Sequence, residues 1–467
     1  MSVSLASNKV LEISSRIERL PFSTWQVKVL VIISVFTFFD AFDAMAIAFA
    51  LPALIGTWSL KPQYVGFLIS AGFLGQLLGA ITFGRLAERI GRLHTMIITV
   101  LVFSILSLCC AASWSYASLL VLRLIQGFGL GGEAPVAATY LNEIVGARIG
   151  GKYGMFLIIL SFGIGLLLAS FGGYWIVPHF GWRWLFVVGG VPAAIVAYLA
   201  YALPESPRWL AGVGRVTEAE GAMAAIERKV RTATNADLPA PVAPTVAPAA
   251  THTSFVQLFE GIYLRRTIVV WVIWFSAYLA NYGVNTWLPT IYRTVFHLPL
   301  DKSALYSMVT LIFGTCAGLA AVLLVDVIGR RLVIGICFLV GGILFLGLWL
   351  MGASSAGQVV VFTTLGWLFF SVICTVTYVY TPEVYPTRIR ALGTSVATAW
   401  LRLAAMIGPV FVGMVIAHYG EVSRIFLFYG LIALIAGIVV LVLGIETKRG
   451  RYLKKFRPKT SSAVCHV

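Results

Sequence analysis

Charged residues are scarce in this chain, and acidic residues are the scarcest of them. Only 11% of the 467 residues are charged, with 18 Asp and Glu against 34 Lys and Arg, while 60% are hydrophobic. A mean hydropathy of +0.93 excludes a water-soluble globule, because so few polar residues could not cover its surface. The sequence therefore predicts a polytopic membrane protein.

Residues and motifs that carry catalysis are also few. The six cysteines show no disulfide pattern, and the six histidines show no spacing typical of a metal site. Neither a P-loop nor a nucleophile elbow is present. The stretch "GFGLGG" at 127–132 fits the dinucleotide fingerprint, but it lies in an apolar run and follows no strand, so we interpret it as helix-packing glycines. We expect no enzymatic activity, no cofactor and no metal.

What the sequence has in abundance is hydrophobic runs of about 20 residues, the length that crosses a bilayer. The period-two segments typical of a membrane β-barrel are not visible. We predict an all-α membrane protein with twelve transmembrane helices in two groups of six. The predicted spans are 27–50, 63–86, 95–113, 118–141, 153–176, 183–203, 266–290, 303–328, 333–353, 358–380, 391–417 and 423–445.

The formal net charge of +16 comes mostly from one side of the predicted membrane. With the N-terminus inside, the cytoplasmic segments hold 27 of the 34 Lys and Arg, and the outer loops hold five. This is the positive-inside rule and not the footprint of a nucleic-acid partner. We predict a multi-pass protein of the cell membrane, the inner membrane if the source is bacterial, with both termini cytoplasmic.

A segment of different composition separates the two groups of spans. It holds a polar stretch that we predict to be helical, Thr217–Arg231, and then a Pro/Ala linker at 238–250. Three landmarks recur in the same order in both groups: "GRLAERIGR" with "DVIGRR", "NEIVGARIGGKYG" with "PEVYPTRIRALG", and "PESPRWL" with "IETKRG". The recurrence predicts a duplicated six-helix unit, as in alternating-access transporters. The predicted parts are an N-terminal bundle at 1–203, a cytoplasmic loop and linker at 204–265, a C-terminal bundle at 266–447 and a basic cytoplasmic tail at 448–467.

These landmarks resemble those of the major facilitator superfamily over nearly the whole chain. "FFDAFDAM" at 38–45 resembles the acidic first-helix signature of aromatic-acid/proton symporters and niacin transporters. "GFGLGGEAPVAATYLNE" and "YTPEVYPTRIRALGT" are most similar to the niacin-transporter branch, which is related to synaptic vesicle glycoprotein 2 and to organic ion transporters. The resemblance implies two pseudo-symmetric six-helix bundles and a small organic ion as substrate, expected to be a carboxylate.

Two acids in the first span, Asp40 and Asp43, are three residues apart and so share one face of a helix. An ionised carboxylate at membrane depth costs several kcal/mol unless it faces a cavity or a counter-charge. Arg123 in the fourth span lies at a similar depth to Asp43, since both are about 10 Å from the outer end of their span. The pair is either a static ion pair that fixes helix packing or a proton-coupling site. A third acid, Glu133, either relays the proton or forms a hydrogen bond within the bundle.

Arg402 lies near the midplane in the eleventh span. Apart from Asp326 at the cytoplasmic end of the eighth span, no acid in the second half lies within a span to pair with it. A buried cation without a fixed partner indicates a mobile anion, namely the substrate. The resemblance to organic anion transporters implies the same role. The alternative is a structural hydrogen bond from Arg402 to helix-end carbonyls.

The seventh span carries aromatic and amide residues at helical spacing, including Tyr278, Asn281 and Asn285. Such a face suits a flat ring with polar edges. Tyr378 in the tenth span is a further candidate of this kind. For Trp274, which has the same spacing, we favour a place in the interfacial aromatic belt.

Charged residues cluster at the predicted cytoplasmic ends of the spans. By resemblance, they form ion pairs that hold the two halves together in the outward-open state. Each exposed pair contributes ~0–1 kcal/mol, but a few kcal/mol suffice to bias a conformational equilibrium. We call this set the cytoplasmic gate: Glu88, Arg89, Arg92, Glu143, Arg148, Asp326, Arg330, Arg331, Glu383 and Arg388.

Taken together, these features predict a proton-coupled symporter that takes up a small organic acid, an aromatic monocarboxylate such as nicotinate or a benzoate. The expected partners are the organic anion, protons and the lipid bilayer, and the chain is expected to be monomeric. Two alternatives stay open at this point. One is an uncoupled facilitator or sugar-type porter, and the other is a non-transporting membrane receptor or scaffold with the same fold.

Overall fold

The computed structural model describes residues 2–145, 154–200, 203–241 and 254–448. Within these ranges every regular element is a helix. One is a short 3₁₀ helix, Phe255–Phe259. The α-helices, in chain order, are α1 Ser2–Glu18, α2 Thr24–Trp58, α3 Pro62–Ile90, α4 Arg92–Ala111, α5 Tyr116–Ile144, α6 Met155–Phe180, α7 Arg183–Ala200, α8 Pro207–Gly212, α9 Val216–Thr234, α10 Ile262–Thr294, α11 Leu300–Ile328, α12 Arg330–Leu350, α13 Ala356–Val384, α14 Thr387–Tyr419 and α15 Ser423–Leu443.

Eleven helices among the described residues are long and apolar enough to cross a membrane. The predicted sixth span coincides with α7, which is also strongly apolar. Most helices extend past the predicted spans; α2, for example, runs over 35 residues. Hydropathy marks only the part of a helix in hydrocarbon, whereas the hydrogen-bonded helix continues into the interface.

Helices α2–α7 form one set, the N-terminal group, and α10–α15 form a second, the C-terminal group. Small residues allow close packing inside each group. A Cβ atom at Gly75 or Gly79 of α3 would overlap the backbone of α5 at Leu124 or Phe128, so these positions require glycine. We propose that the boundaries predicted from the sequence, 1–203 and 266–447, divide the chain into its two moving parts. The Pro/Ala stretch lies largely outside the described residues, as does the tail from residue 449 onward.

The two groups meet through α3 with α14, α6 with α11, and α2 with α10. We call the end of the bundle that carries α8 and α9 the linker end. At the other end, the Ser70 hydroxyl donates to the Met406 carbonyl at 2.5 Å. A Cβ atom at Gly66 would lie 2.8 Å from the Pro409 carbonyl oxygen. Among the described side chains, no ion pair joins the N-terminal group to the C-terminal group. The remaining ion pairs lie within one group, or they involve α1, α8, α9 and the residues next to them at the linker end. The groups are therefore closed against each other at the end opposite the linker.

At the linker end, α1 packs against α8 and α9. The polar helix expected at 217–231 is confirmed by α9, whereas the sequence analysis did not predict α1. Ile13 and Ile17 of α1 are buried in this contact, and Arg16 donates to Glu220 and Glu227 at 2.7 Å each. A 17-residue helix with two such anchors is stabilised by its contacts more than by its own propensity.

The repeated sequence landmarks adopt the same local geometry in both groups. Gly91 precedes α4 with φ 105°, and Gly329 precedes α12 with φ 109°, values that L side chains rarely adopt. The Glu205 carboxylate accepts the first N–H of α4 at 3.0 Å, and the Glu446 carboxylate accepts the first N–H of α12 at 2.9 Å. Each carboxylate thus satisfies a helix N-terminus that would otherwise lack acceptors.

Candidate functional site

Asp43 is fully buried inside the N-terminal group, in a closed network of hydrogen bonds. Its carboxylate accepts from Ser107 Oγ at 2.9 Å, from Gln126 Nε2 at 2.8 Å and from Arg123 Nη1 at 3.3 Å. Arg123 also donates to Gln126 Oε1 at 2.7 Å. The ion pair expected from matching depth is therefore present. The sequence analysis missed Ser107 and Gln126, although an amide one helical turn after a buried arginine was a usable signal.

Asp40 has different surroundings from Asp43. It is half-buried, and it lies within electrostatic reach of both Asp43 and Arg402 of the C-terminal group. No described side chain forms a hydrogen bond with Asp40. Residues three apart point about 60° apart around a helix, and this difference directs one acid into the bundle and the other towards the opposite group.

Glu133 of α5 is buried close to Asp40. One of its carboxylate oxygens accepts from Thr37 Oγ1 at 3.5 Å, and the other has no partner among the described residues. Glu133 also lies within electrostatic reach of Asp40. Two carboxylates are thus neighbours at membrane depth, and neither is paired with a basic side chain of its own group.

Arg402 reaches across from α14 to the N-terminal group. It donates to Gln76 Oε1 at 3.0 Å and to the Gly131 carbonyl at 3.3 Å, with Asp40 within electrostatic reach. The expectation of a cation without a fixed partner is wrong. It considered acids of the second half only, and the partners of Arg402 lie on the first half.

An aromatic wall lies next to Arg402. The rings of Trp274, Tyr278 and Tyr282 stack along α10, with successive centroids 5.4 and 6.2 Å apart. Tyr378 of α13 meets Trp274 edge-on at 4.9 Å and is 41% exposed. Tyr282 and Tyr378 both lie within electrostatic reach of Arg402 and Asp40, so the wall faces the charged residues. Sequence analysis missed Tyr282, which is one turn beyond Tyr278.

Trp274 does not belong to an interfacial belt, contrary to expectation. Its side chain is completely buried, and its Nε1 donates to Thr381 Oγ1 at 2.8 Å. The two candidate amides lie farther along the same helix. Asn285 Nδ2 donates to Asn281 Oδ1 at 3.3 Å, and Asn281 lies 3.7 Å from the Cys374 sulfur. The aromatic and amide positions of α10 therefore form one continuous face, as predicted.

The cytoplasmic-gate residues form two matching ion pairs. Arg92 Nε lies 3.2 Å from Glu143 Oε2 in the N-terminal group, and Arg330 Nε lies 3.1 Å from Glu383 Oε2 in the C-terminal group. Both pairs join helices of the same group, so in this conformation neither of them links the two groups.

The other members of the gate set differ in what surrounds them. Glu88, Arg89 and Arg388 are exposed and form no ion pair with any described side chain, whereas Arg331 donates to the Leu441 carbonyl. Arg148 lies outside the described residues, and so does the side chain of Asp326.

A family model described as "Sugar (and other) transporter" matches residues 30–459, most of the chain. The chain belongs to this transporter family. This family lies within the major facilitator superfamily, as the sequence landmarks implied. The predicted recognition and the twelve-helix fold are confirmed, and the chain is a membrane transporter and not an enzyme.

Curated relatives agree with this assignment, and a solved structure shares the fold. The chain is 34% identical over 449 residues to the niacin transporter NiaP of Acinetobacter baylyi, and the match covers 94% of this chain and 98% of that protein. It is 29% identical over 436 residues to the gallate transporter of Pseudomonas putida, covering 93% and 95% of the two chains. A partially occluded inward-open structure of the xylose transporter XylE from E. coli superposes with a TM-score of 0.70 at 20% identity, over 91% of this chain and 99% of XylE. That structure shows the shared fold.

Proposed function

We propose that the protein takes up a small aromatic monocarboxylate, such as nicotinate or a benzoate, together with protons by alternating access. One observation carries the proposal: Arg402 lies within electrostatic reach of Asp40 and of the wall tyrosines Tyr282 and Tyr378, where the two groups meet. The relatives named as niacin and gallate transporters support the substrate class.

The substrate carboxylate binds Arg402. The present partners of Arg402, the Gln76 amide and the Gly131 carbonyl, are neutral. A carboxylate forms stronger, charge-assisted bonds and can accept two parallel N–H donors from one guanidinium, so it displaces the neutral partners. The ring then lies against Tyr278, Tyr282 and Tyr378, with the amides of Asn281 and Asn285 near its polar edge.

Proton coupling follows from the competition of two anions for one cation. Asp40 and the substrate carboxylate both require Arg402, and like charges repel strongly in a site of low dielectric constant. Binding of the substrate therefore favours the protonated form of Asp40, and the two enter together. Glu133, which neighbours Asp40 and lies nearer the linker end, accepts the proton on its way to that side.

The ion pair of Asp43 with Arg123 completes the coupling set. It lies behind Asp40 on the same helix, so its charge balance responds to the state of Asp40 through their electrostatic interaction. Its hydrogen bonds to Ser107, Gln126 and Arg123 hold Asp43 in place, so we assign this pair the role of supporting the proton site, and Asp40 the exchange with solvent.

We further propose that the linker end is cytoplasmic, because 27 of the 34 Lys and Arg lie on that side under this orientation. The closed opposite end then makes this an inward-facing conformation. The cytoplasmic-gate charges would join the two groups only after this end closes, and the chain works as a monomer.

Uptake into proteoliposomes with and without a pH gradient tests the proposal. Wild type should accumulate labelled nicotinate or benzoate when the outside is acidic. Asp40→Asn should lose accumulation but keep exchange of substrate across the membrane, and Asp43→Asn should show the same loss. Asp237→Asn, an exposed acid near α9, is the matched control and should accumulate substrate normally.

Accumulation that persists in both the Asp40 and Asp43 variants would show that the proton assignment is wrong. Wild type that equilibrates substrate without concentrating it would point to the uncoupled facilitator. Binding of a sugar and of no carboxylate would point to a sugar porter.

A further inference from the structure

A basic cleft lies where α2 begins and α9 ends, far from Arg402 and its neighbours. Its volume is about 610 Å³, and its charged lining comes from Lys28 of α2 and from Arg228 and Lys229 of α9. Trp25 and Thr232 add an aromatic and a hydroxyl group. The lining contains three cations and no acid.

The three cations have no acidic partner among the described side chains. The carboxylate next to them in sequence, Glu227, is already bound by Arg16 at 2.7 Å and Arg19 at 2.6 Å on another side of α9. The positive charge of the cleft is therefore uncompensated, and it attracts an anion from outside the chain.

The predicted spans also place the cleft at the membrane boundary. The first predicted span begins at residue 27, and Val27 and Val31, on either side of Lys28, are 39% and 47% exposed. Exposed valines on a membrane helix face lipid chains, whereas a lysine extends its ammonium to the headgroup level. Trp25 is the residue type enriched at this depth.

We propose that this cleft binds the headgroup of an anionic phospholipid. The phosphate lies among Lys28, Arg228 and Lys229, and an acyl chain runs along Val27 and Val31. A lipid accounts for both the uncompensated charge and the apolar surface next to it, whereas a free anion accounts only for the charge. A bound headgroup would tie α9 to α2, the helix that carries Asp40 and Asp43.

Native mass spectrometry of the purified full-length protein, titrated with phosphatidylglycerol or phosphatidylcholine, tests the site. Wild type should prefer phosphatidylglycerol. Lys28→Gln/Lys229→Gln should lose that affinity by roughly tenfold to thirtyfold, since each Lys or Arg near an anionic headgroup contributes a factor of about five. Lys28→Arg/Lys229→Arg should bind like wild type, which separates charge from folding.

The matched control is Arg215→Gln/Arg231→Gln, which removes the same amount of charge from α9 and the residue before it, at positions outside the cleft. Its affinity for phosphatidylglycerol should equal that of wild type. Equal losses of phosphatidylglycerol affinity in this control and in Lys28→Gln/Lys229→Gln would overturn the site in favour of general surface charge. Equal binding of both lipids to wild type would overturn it as well. Displacement of phosphatidylglycerol from wild type by millimolar inorganic phosphate would overturn the lipid assignment in favour of a free anion.

Discussion

The two six-helix groups are alike at their ends and different in their middles. At the linker end, each has a positive-φ glycine, a glutamate that accepts a helix N-terminus, and an Arg–Glu ion pair. At membrane depth, the N-terminal group carries the acids Asp40, Asp43 and Glu133, while the C-terminal group carries Arg402 and stacked aromatic rings. The duplicated frame is shared, and the chemistry is divided between the copies.

This division separates two tasks. Under the proposed function, proton handling depends on the first copy, and recognition of a carboxylate on a ring depends on the second. They meet at a single pair, Asp40 with Arg402, so a change at either residue should affect both tasks. Substitutions deeper inside either group should affect only one of the two tasks.

The largest difference should appear on removing the buried arginine of each group. Arg123→Ala leaves Asp43 buried without its cation and should destabilise the protein by about 3–5 kcal/mol. Arg402→Ala should cost much less stability, because its hydrogen bonds go to neutral groups and Asp40 is half-buried. Thermal unfolding of both variants in detergent measures this, and equal losses would contradict the division of roles.

The next largest effect concerns the sign of the substrate charge. Arg402→Ala should lose a charge-assisted contact worth about 1.5–3 kcal/mol, roughly ten- to hundredfold in affinity for the carboxylate. Arg402→Lys should also weaken binding, because an ammonium cannot offer two parallel donors. Isothermal titration with the acid and its neutral amide checks this. The amide should bind wild type poorly and lose little more in the Ala variant, whereas equal losses for acid and amide would assign Arg402 to the fold.

The shared frame should respond symmetrically. A Cβ atom at Gly91 would meet the Glu205 carboxylate, and one at Gly329 would meet the Glu446 carboxylate. Both positions also have a backbone conformation that disfavours alanine, so Gly91→Ala and Gly329→Ala should each cost about 1–3 kcal/mol. Thermal stability reports this, with Gly214→Ala as a control that has positive φ and open space. A large cost in only one group would show that the two ends are not equivalent.

The smallest effect concerns α1, which packs beside the N-terminal group and has no counterpart beside the C-terminal group among the described residues. Burial acts to raise the pKa of Glu227, but hydrogen bonds from Arg16 and Arg19 outweigh it and leave the pKa below its ordinary value. The stabilisation is thus complete at neutral pH and is lost as pH falls through the lowered pKa. Glu227→Gln should loosen α1 by about 1 kcal/mol at neutral pH, seen as faster hydrogen exchange in α1. Unchanged exchange would assign the docking of α1 to Ile13 and Ile17.

How much could be predicted from the sequence depended on whether an inference concerned single or neighbouring helices, or instead the way in which helix faces and the two groups pack together. The Asp43–Arg123 pair was predictable because both residues lie in neighbouring membrane helices, and the fixed rise of a helix gives their depths. The approach of Arg402 to Asp40 was not, since it depends on how the two groups dock. Trp274 was misassigned because hydropathy gives the depth of a residue and not which way its face of the helix points. The landmark motifs predicted the repeat, but they did not predict that Glu205 and Glu446 each accept a hydrogen bond from a helix N-terminus.

The contact between α3 and α5 has a consequence for the speed of transport. Because backbones touch at Gly75 and Gly79, these two helices cannot slide past each other without separating. Gln76, Arg123 and Glu133, which they carry, therefore keep fixed mutual distances throughout the cycle. A substrate that binds Arg402 as proposed, and draws it away from Gln76, would therefore release a block of helices and not a single side chain. Turnover should then be limited by collective motion in the microsecond to millisecond range, and not by side-chain rotation.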